Sequence, residues 1–382
     1  MNRGKIYLPG PVALFLDSIA KNVEYLILFL HEVPVEEYSN NDIPLSQNNI
    51  SLVNLGKIKP AWHRTLFHRA ICSKIEYHAM SFDFLILRSP SPLVHAISRI
   101  KLLQDKIVFL IVGDYAEGAK HMPSSTIRQN VVIAYNQWMD RMLTKAVKDK
   151  IIFVNSRILY EKYLYTSNRL HEIRTTTLSE SDFFQRKDTC RGSEIKLLYT
   201  GRIDWLKGLK ELLQALKILR NTGIPATLHL VGWEENKSRP VEMGLMVLAE
   251  ELNLQEFVHF HGSKKLGPEL NVIYRSCDVY VLPSYHEGFP RSIWEAMANS
   301  LPVVTTSVGS IPYFIEDRKN ALIVAPKDHI ELASAIEEVI KNAELRQNMI
   351  RAAFDLSTEN TLDKQAKRLI DNLNMYLNTI SV

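Results

Sequence analysis

Residues 196–219 read KLLYTGRIDWLKGLKELLQALKIL. The stretch Lys196–Thr200 has the length and apolar content of a buried strand. A polar turn bracketed by Gly201 and Gly208 follows. From Leu209 the apolar residues change period: Leu209, Leu212, Leu213, Leu216 and Leu219 form one stripe at helical spacing. Strand, glycine-bounded turn and amphipathic helix make up the first part of a βαβ unit, which predicts a parallel sheet covered by helices.

The same alternation continues downstream. Ala226–Val231, Val258–Phe260, Asp278–Leu282, Val303–Thr306 and Ala321–Val324 read as strands, and Leu332, Ala333, Ile336, Val339 and Ile340 repeat the helical stripe. Upstream the pattern is less regular. Tyr25–Leu30, Ser51–Leu55, Phe84–Arg88, Ile107–Val112 and Ile151–Val154 read as strands. Val12–Asn22, Ala61–Ala79 and Asn130–Lys148 read as helices. Only Lys5–Leu8 precedes the first helix, so the first strand is short or absent. The reading is α/β with two Rossmann-like domains whose parallel sheets face each other across a cleft. Its boundaries are 1–175 for the first domain, 176–194 for the linker and 195–360 for the second domain. The polar stretch Thr175–Gly192 marks the join. A C-terminal helix over 361–382, with Leu362, Ala366, Leu369 and Leu373, is expected to pack back toward the first domain.

Composition narrows the class. The chain has 382 residues, 46% hydrophobic and 23% charged, which excludes a disordered or collagen-like protein. Three dispersed cysteines, Cys72, Cys190 and Cys277, exclude a disulfide scaffold or zinc ribbon and suit a reducing compartment. No apolar run reaches the ~18 residues of a membrane span. Pro9, Gly10 and Pro11 break the apolar N-terminal stretch, which does not read as a signal peptide. Residues 1–180 carry 22 Lys and Arg against 16 Asp and Glu, while the rest carries 24 against 26. The basic first half favours an anionic partner, but the excess is too small to argue for nucleic acid.

Three segments carry chemistry. GRIDWLKG, Gly201–Gly208, places Arg202 and Lys207 between a strand and a helix, which suits a diphosphate. A solvated basic turn is the plainer alternative. EGFPRSIWE, Glu287–Glu295, offers two carboxylates suited to the vicinal hydroxyls of a sugar or ribose. Alternatively, both are acids drawn to a helix N-terminus by its dipole. TSVGSIP, Thr306–Pro312, presents backbone N–H groups after a strand, or is simply a small-residue turn.

Taken in order, these segments resemble the retaining, nucleotide-sugar-dependent glycosyltransferases of family 4, within the group 1 glycosyl transferases, which have the GT-B fold. The Gly-Arg-x4-Lys-Gly pattern is Gly201, Arg202, Lys207 and Gly208, and the Glu-x7-Glu pattern is Glu287 and Glu295. Pro283, Ser284, Gly288, Phe289, Glu295-Ala296-Met297-Ala298, Pro302-Val303-Val304 and Gly309 agree with it. The resemblance is strong over 195–345, weaker over 80–180 and poor before that.

The resemblance implies a retaining, metal-independent transfer from a nucleotide-diphosphate-sugar co-substrate, with UDP- or GDP-sugars favoured and no resident cofactor or metal. Arg202, Lys207 and Glu287 would carry the reaction: the two cations on the diphosphate, Glu287 on the donor sugar. Gly201, Gly288, Phe289, Pro290, Glu295, Ser307, Gly309 and Ser310 would bind the donor, Glu295 through the ribose. Asp114, Arg88 and Gly10 are the acceptor-side candidates. Asp114 reads equally well as a loop-forming residue. The acceptor would be a glycan or lipid-linked saccharide in surface polysaccharide or lipopolysaccharide assembly. The chain would be cytoplasmic, peripheral on the inner membrane face. Residues 57–78 mix cations with Trp62, Leu66, Phe67 and Ile71, as a helix lying on an anionic membrane would, or as an ordinary sheet-covering helix would.

The sequence departs from the family pattern in four places. Ser300 and Ser310 stand where glycine is usual, Gly232-Trp233-Glu234-Glu235 replaces a glycine-rich loop, and Gly113-Asp114 replaces His-Asp. A nucleotide-sugar 2-epimerase on the same fold and a non-catalytic sugar-binding subunit are the competing readings.

Overall fold

The computed structural model describes residues 5–33, 42–115, 127–174 and 176–380. Thr175, the first residue of the polar stretch that marks the join, lies outside them. The chain divides into two compact units, Met1–Arg174 with Ala366–Val382, and Thr175–Gln365.

The second unit is one six-stranded parallel sheet. Its strands are β9 (Ile195–Arg202), β10 (Ala226–Trp233), β11 (Val258–Phe260), β12 (Val279–Leu282), β13 (Val303–Thr306) and β14 (Leu322–Val324), in the spatial order β11-β10-β9-β12-β13-β14. Numbered within the unit this is 3-2-1-4-5-6, the doubly wound order, whose direction reverses between β9 and β12. The leucine stripe forms α7 (Leu209–Asn221), and all five leucines are buried. Burying each stabilises the unit by roughly 1.5–3 kcal/mol before chain entropy is counted. α7 packs against α12 (His329–Lys341), whose first turn is capped by Asp328 Oδ1 on the N–H groups of Ile330 and Glu331 (3.0 and 2.9 Å). α8 (Pro240–Glu251), α9 (Pro268–Ser276), α10 (Arg291–Ala298), α11 (Ile311–Phe314) and α13 (Ala343–Thr358) complete the cover.

The first unit is less continuous than the expected Rossmann sheet. β5 (Leu85–Ser89), β6 (Ile107–Ile111), β7 (Ile151–Val154) and β8 (Leu170–Glu172) form a four-stranded parallel sheet. β2 (Leu26–Glu32) and β4 (Ile50–Lys57) pair in parallel as a separate sheet. β1 (Tyr7–Pro9), only three residues long, pairs antiparallel with β3 (Asp42–Pro44). Its helices are α1 (Gly10–Ala20), α2 (Ala61–Leu66), α3 (Arg69–Tyr77), α4 (Val94–Ile97), α5 (Ile127–Ala146) and α6 (Arg157–Tyr163). The helix read over 61–79 is in fact two. Phe67 leaves the helical region at φ −107°, ψ 50°, and α3 then turns Ile71 and Ile75 inward. The C-terminal helix α14 (Leu362–Ile380) places Ala366, Leu369, Ile370 and Leu373 in one core with Ile19, Val108 and Phe153.

Candidate active site

Three loops follow the carboxyl ends of β9, β12 and β13, and they are tied to one another. Tyr285 N–H donates to Leu206 O (2.8 Å), Ser310 N–H to Gly288 O (2.8 Å), and Thr306 Oγ1 to Ser284 O (2.6 Å). Two glycines permit this closeness. Gly208 (φ +66°) and Gly309 (φ +58°) adopt backbone that favours glycine, and a Cβ on either would overlap a carbonyl, that of Pro283 or of Glu287. The first two loops flank the switch point between β9 and β12, where open α/β sheets bind ligands.

Lys207 and Glu287 meet there. Nζ donates to Oε1 at 2.5 Å, and the side chains are only 16% and 10% exposed. Ser284 Oγ donates to the same oxygen at 2.7 Å. Lys207 ends a 3-10 turn, Trp205–Lys207, opened by Asp204, which accepts from Leu206 N–H (2.8 Å). Glu287 lies before α10, and the first turn of α10 contains no acid, so the helix-dipole alternative does not account for either carboxylate.

Glu295 is the fifth residue of α10. Its Oε1 accepts from Thr177 Oγ1 (2.6 Å) and its Oε2 from Tyr274 OH (2.9 Å). Thr200 Oγ1, at the end of β9, lies 2.6 Å from the same phenol oxygen. Burial first, and the Glu295 carboxylate second, hold the Tyr274 phenol well above its ordinary pKa, so it stays a donor. Each Glu295 oxygen keeps a lone pair for another hydroxyl.

Arg202 takes a different hydrogen-bond partner. Its Nη1 donates to Glu235 Oε1 (2.8 Å), beside a recess of about 160 Å³ lined also by Asp204, Glu234 and Asn236. Phe289 spends its ring on the core, stacked on Trp294 at 4.6 Å and edge-on to Phe314 at 5.3 Å. Gly288 and Ser307 are exposed, Pro290 caps α10, and Ser310 is buried before α11. Gly201 lies one residue before Arg202 in β9. Sequence reasoning missed Ser284, Thr177 and Tyr274 as partners of the two glutamates, and Glu235 as the partner of Arg202.

The acceptor-side candidates belong to the first unit. Asp114, just beyond β6, accepts from Lys162 Nζ at 2.9 Å, and Asp140 takes the same ammonium at 2.6 Å. Arg88 lies near the carboxyl end of β5, is exposed, and has no side-chain partner among the described residues. Gly10 is buried as the first residue of α1. Within 57–78, Trp62 (58% exposed), Leu66 (66%) and Phe67 (62%) are exposed in and just after α2, close in sequence to Lys59 and Arg64.

Comparison with known proteins bears on the family and the fold. Residues 180–355 match the family model described as glycosyl transferases group 1. The D-inositol 3-phosphate glycosyltransferase of Paenarthrobacter aurescens is 30% identical over 171 residues, 43% of this chain and 40% of that protein. The capsular polysaccharide biosynthesis glycosyltransferase CapM of Staphylococcus aureus is 26% identical over 192 residues, 50% of this chain and 45% of that one. The chain thus spans less than half the length of these curated relatives. Anabaena HepE, solved in complex with UDP, superposes with a TM-score of 0.68 at 16% identity, covering 96% of this chain and 97% of that one. The fold is GT-B, and the similarity to the group 1 glycosyl transferases lies within the second unit, over residues 180–355.

Proposed function

We propose that the chain is a retaining glycosyltransferase of the family 4 type. It moves a sugar from a nucleoside diphosphate sugar to a saccharide or lipid-linked saccharide, on a route to surface polysaccharide. The observation that carries this reading is the Lys207–Glu287 pair set at the sheet's switch point. Lys207, with Arg202 close by along the same loop, supplies positive charge where the leaving diphosphate gains negative charge, which is often the largest contribution to such catalysis. Glu287 accepts from hydroxyls of the donor sugar, and Glu295 from the ribose.

In this reading the bond from the anomeric carbon to the β-phosphate oxygen breaks, and the acceptor oxygen bonds to that carbon on the same face. The acceptor's proton passes to the departing phosphate oxygen. No metal ion takes part. A glycosidase scheme with paired carboxylates is not invoked, because Glu287 is engaged by Lys207 and Ser284, and Glu295 by Thr177 and Tyr274.

HepE was solved with UDP, which supports a uridine donor; a guanosine donor is the alternative. CapM supports capsule-like polysaccharide as the product class. The test is binding of uridine, guanosine, adenosine and thymidine diphosphates, followed by product analysis with the selected sugar nucleotide. Transfer to an added acceptor with retained anomeric configuration upholds the reading. Conversion of the donor alone to its 2-epimer replaces it with the isomerase.

Exposed Trp62, Leu66 and Phe67, close in sequence to Lys59 and Arg64, support a second element: docking on an anionic membrane, on the cytoplasmic face. Among the described residues no helix is long and apolar enough to cross a membrane. Co-flotation with anionic but not neutral vesicles, lost in a Trp62→Ser/Phe67→Ser variant, is the expected result. Absence of flotation removes the membrane from the proposal.

A further inference from the structure

We propose that Glu235 is an internal competitor for the donor's diphosphate, holding the Arg202 guanidinium until phosphate oxygens replace its carboxylate. The inference deepens the donor reading above and rests on it.

The first support is chemical. Arg202 Nη1 donates to Glu235 Oε1 at 2.8 Å, and a carboxylate and a phosphate oxygen accept from a guanidinium in the same way. One cannot take that N–H while the other holds it. The second support is how Glu235 is placed. Its neighbour Glu234 caps α8, with Oε2 accepting from Val241 N–H and Glu242 N–H, both at 3.0 Å. Arg202 and Trp233 are register partners on β9 and β10. Glu235 therefore follows two anchored residues and is held beside Arg202.

The third support is the contrast between the two cations of the loop. Lys207 and Glu287 are almost covered and share Ser284. Arg202 and Glu235 are 47% and 72% exposed. A covered, hydrogen-bonded pair is costly to separate, whereas an exposed pair opens readily. The Lys207–Glu287 pair is thus a fixed part of the site and the Arg202–Glu235 pair an exchangeable one. The device also explains the departure from the glycine-rich loop. A carboxylate there imposes a small cost on every ligand that needs Arg202 and none on a ligand that does not. Glu235 therefore lowers the affinity for nucleoside diphosphates relative to nucleosides, which keeps diphosphate binding readily reversible.

The experiment is titration calorimetry of UDP, GDP, uridine and guanosine against wild type, Glu235→Gln and Glu235→Ala, repeated in an Arg202→Gln background. Diphosphate affinity should rise about threefold to fivefold in both Glu235 variants, the scale of an exposed ion pair. Nucleoside affinity should stay level, and the gain should vanish in the Arg202→Gln background. Glu235 is exposed, so both variants should fold, which melting by circular dichroism confirms. Diphosphate binding by wild type with unchanged or weaker affinity in the Glu235 variants overturns the competitor and leaves the donor reading standing. No diphosphate binding by wild type or by either variant overturns the donor reading and the competitor with it.

Discussion

Lys207 Nζ lies 2.5 Å from Glu287 Oε1, although the two residues are 80 positions apart in the chain. The contact joins the loop after β9 to the loop after β12 across the point where the sheet reverses its winding. Lys207→Ala should cut turnover about 10²-fold or more, the scale seen when a charge-stabilising donor is lost. It should also lower stability, because Glu287 would keep its charge under cover with Ser284 as its remaining partner. A Lys207→Met/Glu287→Gln double variant should regain stability without regaining activity. Measuring urea midpoints and turnover on all three proteins separates the two effects. Wild-type turnover in Lys207→Ala would sink the assignment.

The loops meet only because two positions lack side chains. Gly208→Ala should cost several kcal/mol, since a left-handed residue of roughly 1–2 kcal/mol strain is compounded by overlap with the Pro283 carbonyl. Gly309→Ala should behave similarly against the Glu287 carbonyl. Gly288→Ala, where a Cβ meets nothing within 4 Å, is the control and should be nearly neutral. Equal unfolding midpoints for Gly208→Ala and Gly288→Ala would show that the loops can separate at little cost.

The second unit was legible because each strand is a short apolar run and each long helix has a complete stripe, so period alone places β9 to β14 and α7. The first unit obscures both signals. β8 is Leu170-His171-Glu172, too short and polar to alternate, and β3 is Asp42-Ile43-Pro44. Apolar residues run through Leu66 and Phe67 without a breaker, so the kink between α2 and α3 leaves no mark in the pattern. At the site, residue types and spacing identified the two cations and two carboxylates, whereas pairing did not show. Arg202 and Glu235 are 33 positions apart, and Thr177 and Glu295 are 118 apart. The departure at Ser300 proved local. It takes the left-handed backbone that glycine would (φ +53°), and its hydroxyl donates to Phe184 O and accepts from Arg186 N–H.

Tyr274 links Glu295 to Thr200 at the end of β9, so it should act on nucleotide binding through Glu295. Tyr274→Phe removes one hydrogen bond to a carboxylate, and nucleoside diphosphate affinity should fall several-fold. Turnover at saturating donor should change little, because the ribose is remote from the bond that breaks. Glu295→Ala should lower affinity further. If the nucleotide binds both variants as it binds wild type, Glu295 has no part in the ribose site.

His229, His259 and His261 form a contact set on β10 and at β11. His229 Nδ1 lies 2.9 Å from His261 Nε2, and the His229 and His259 ring centroids are 4.9 Å apart. Burial, then the other two histidines, then Lys196 push His229 from the ordinary 6.5 down to about 4, and burial also lowers His261. The unfolded chain therefore binds protons at these sites at a pH where the folded chain does not. Stability should fall as pH drops below the ordinary histidine value and should level off once His229 protonates in the folded state. The loss belongs to the second unit, since β10 also carries Gly232 and Trp233 beside Gly201 and Arg202. Urea midpoints between about pH 7 and pH 5, above the range where most carboxylates titrate, should decline in wild type and decline less in His229→Gln. A proton titration of His229 by NMR centred near its ordinary value would remove the cause, and the pH dependence would then need another group.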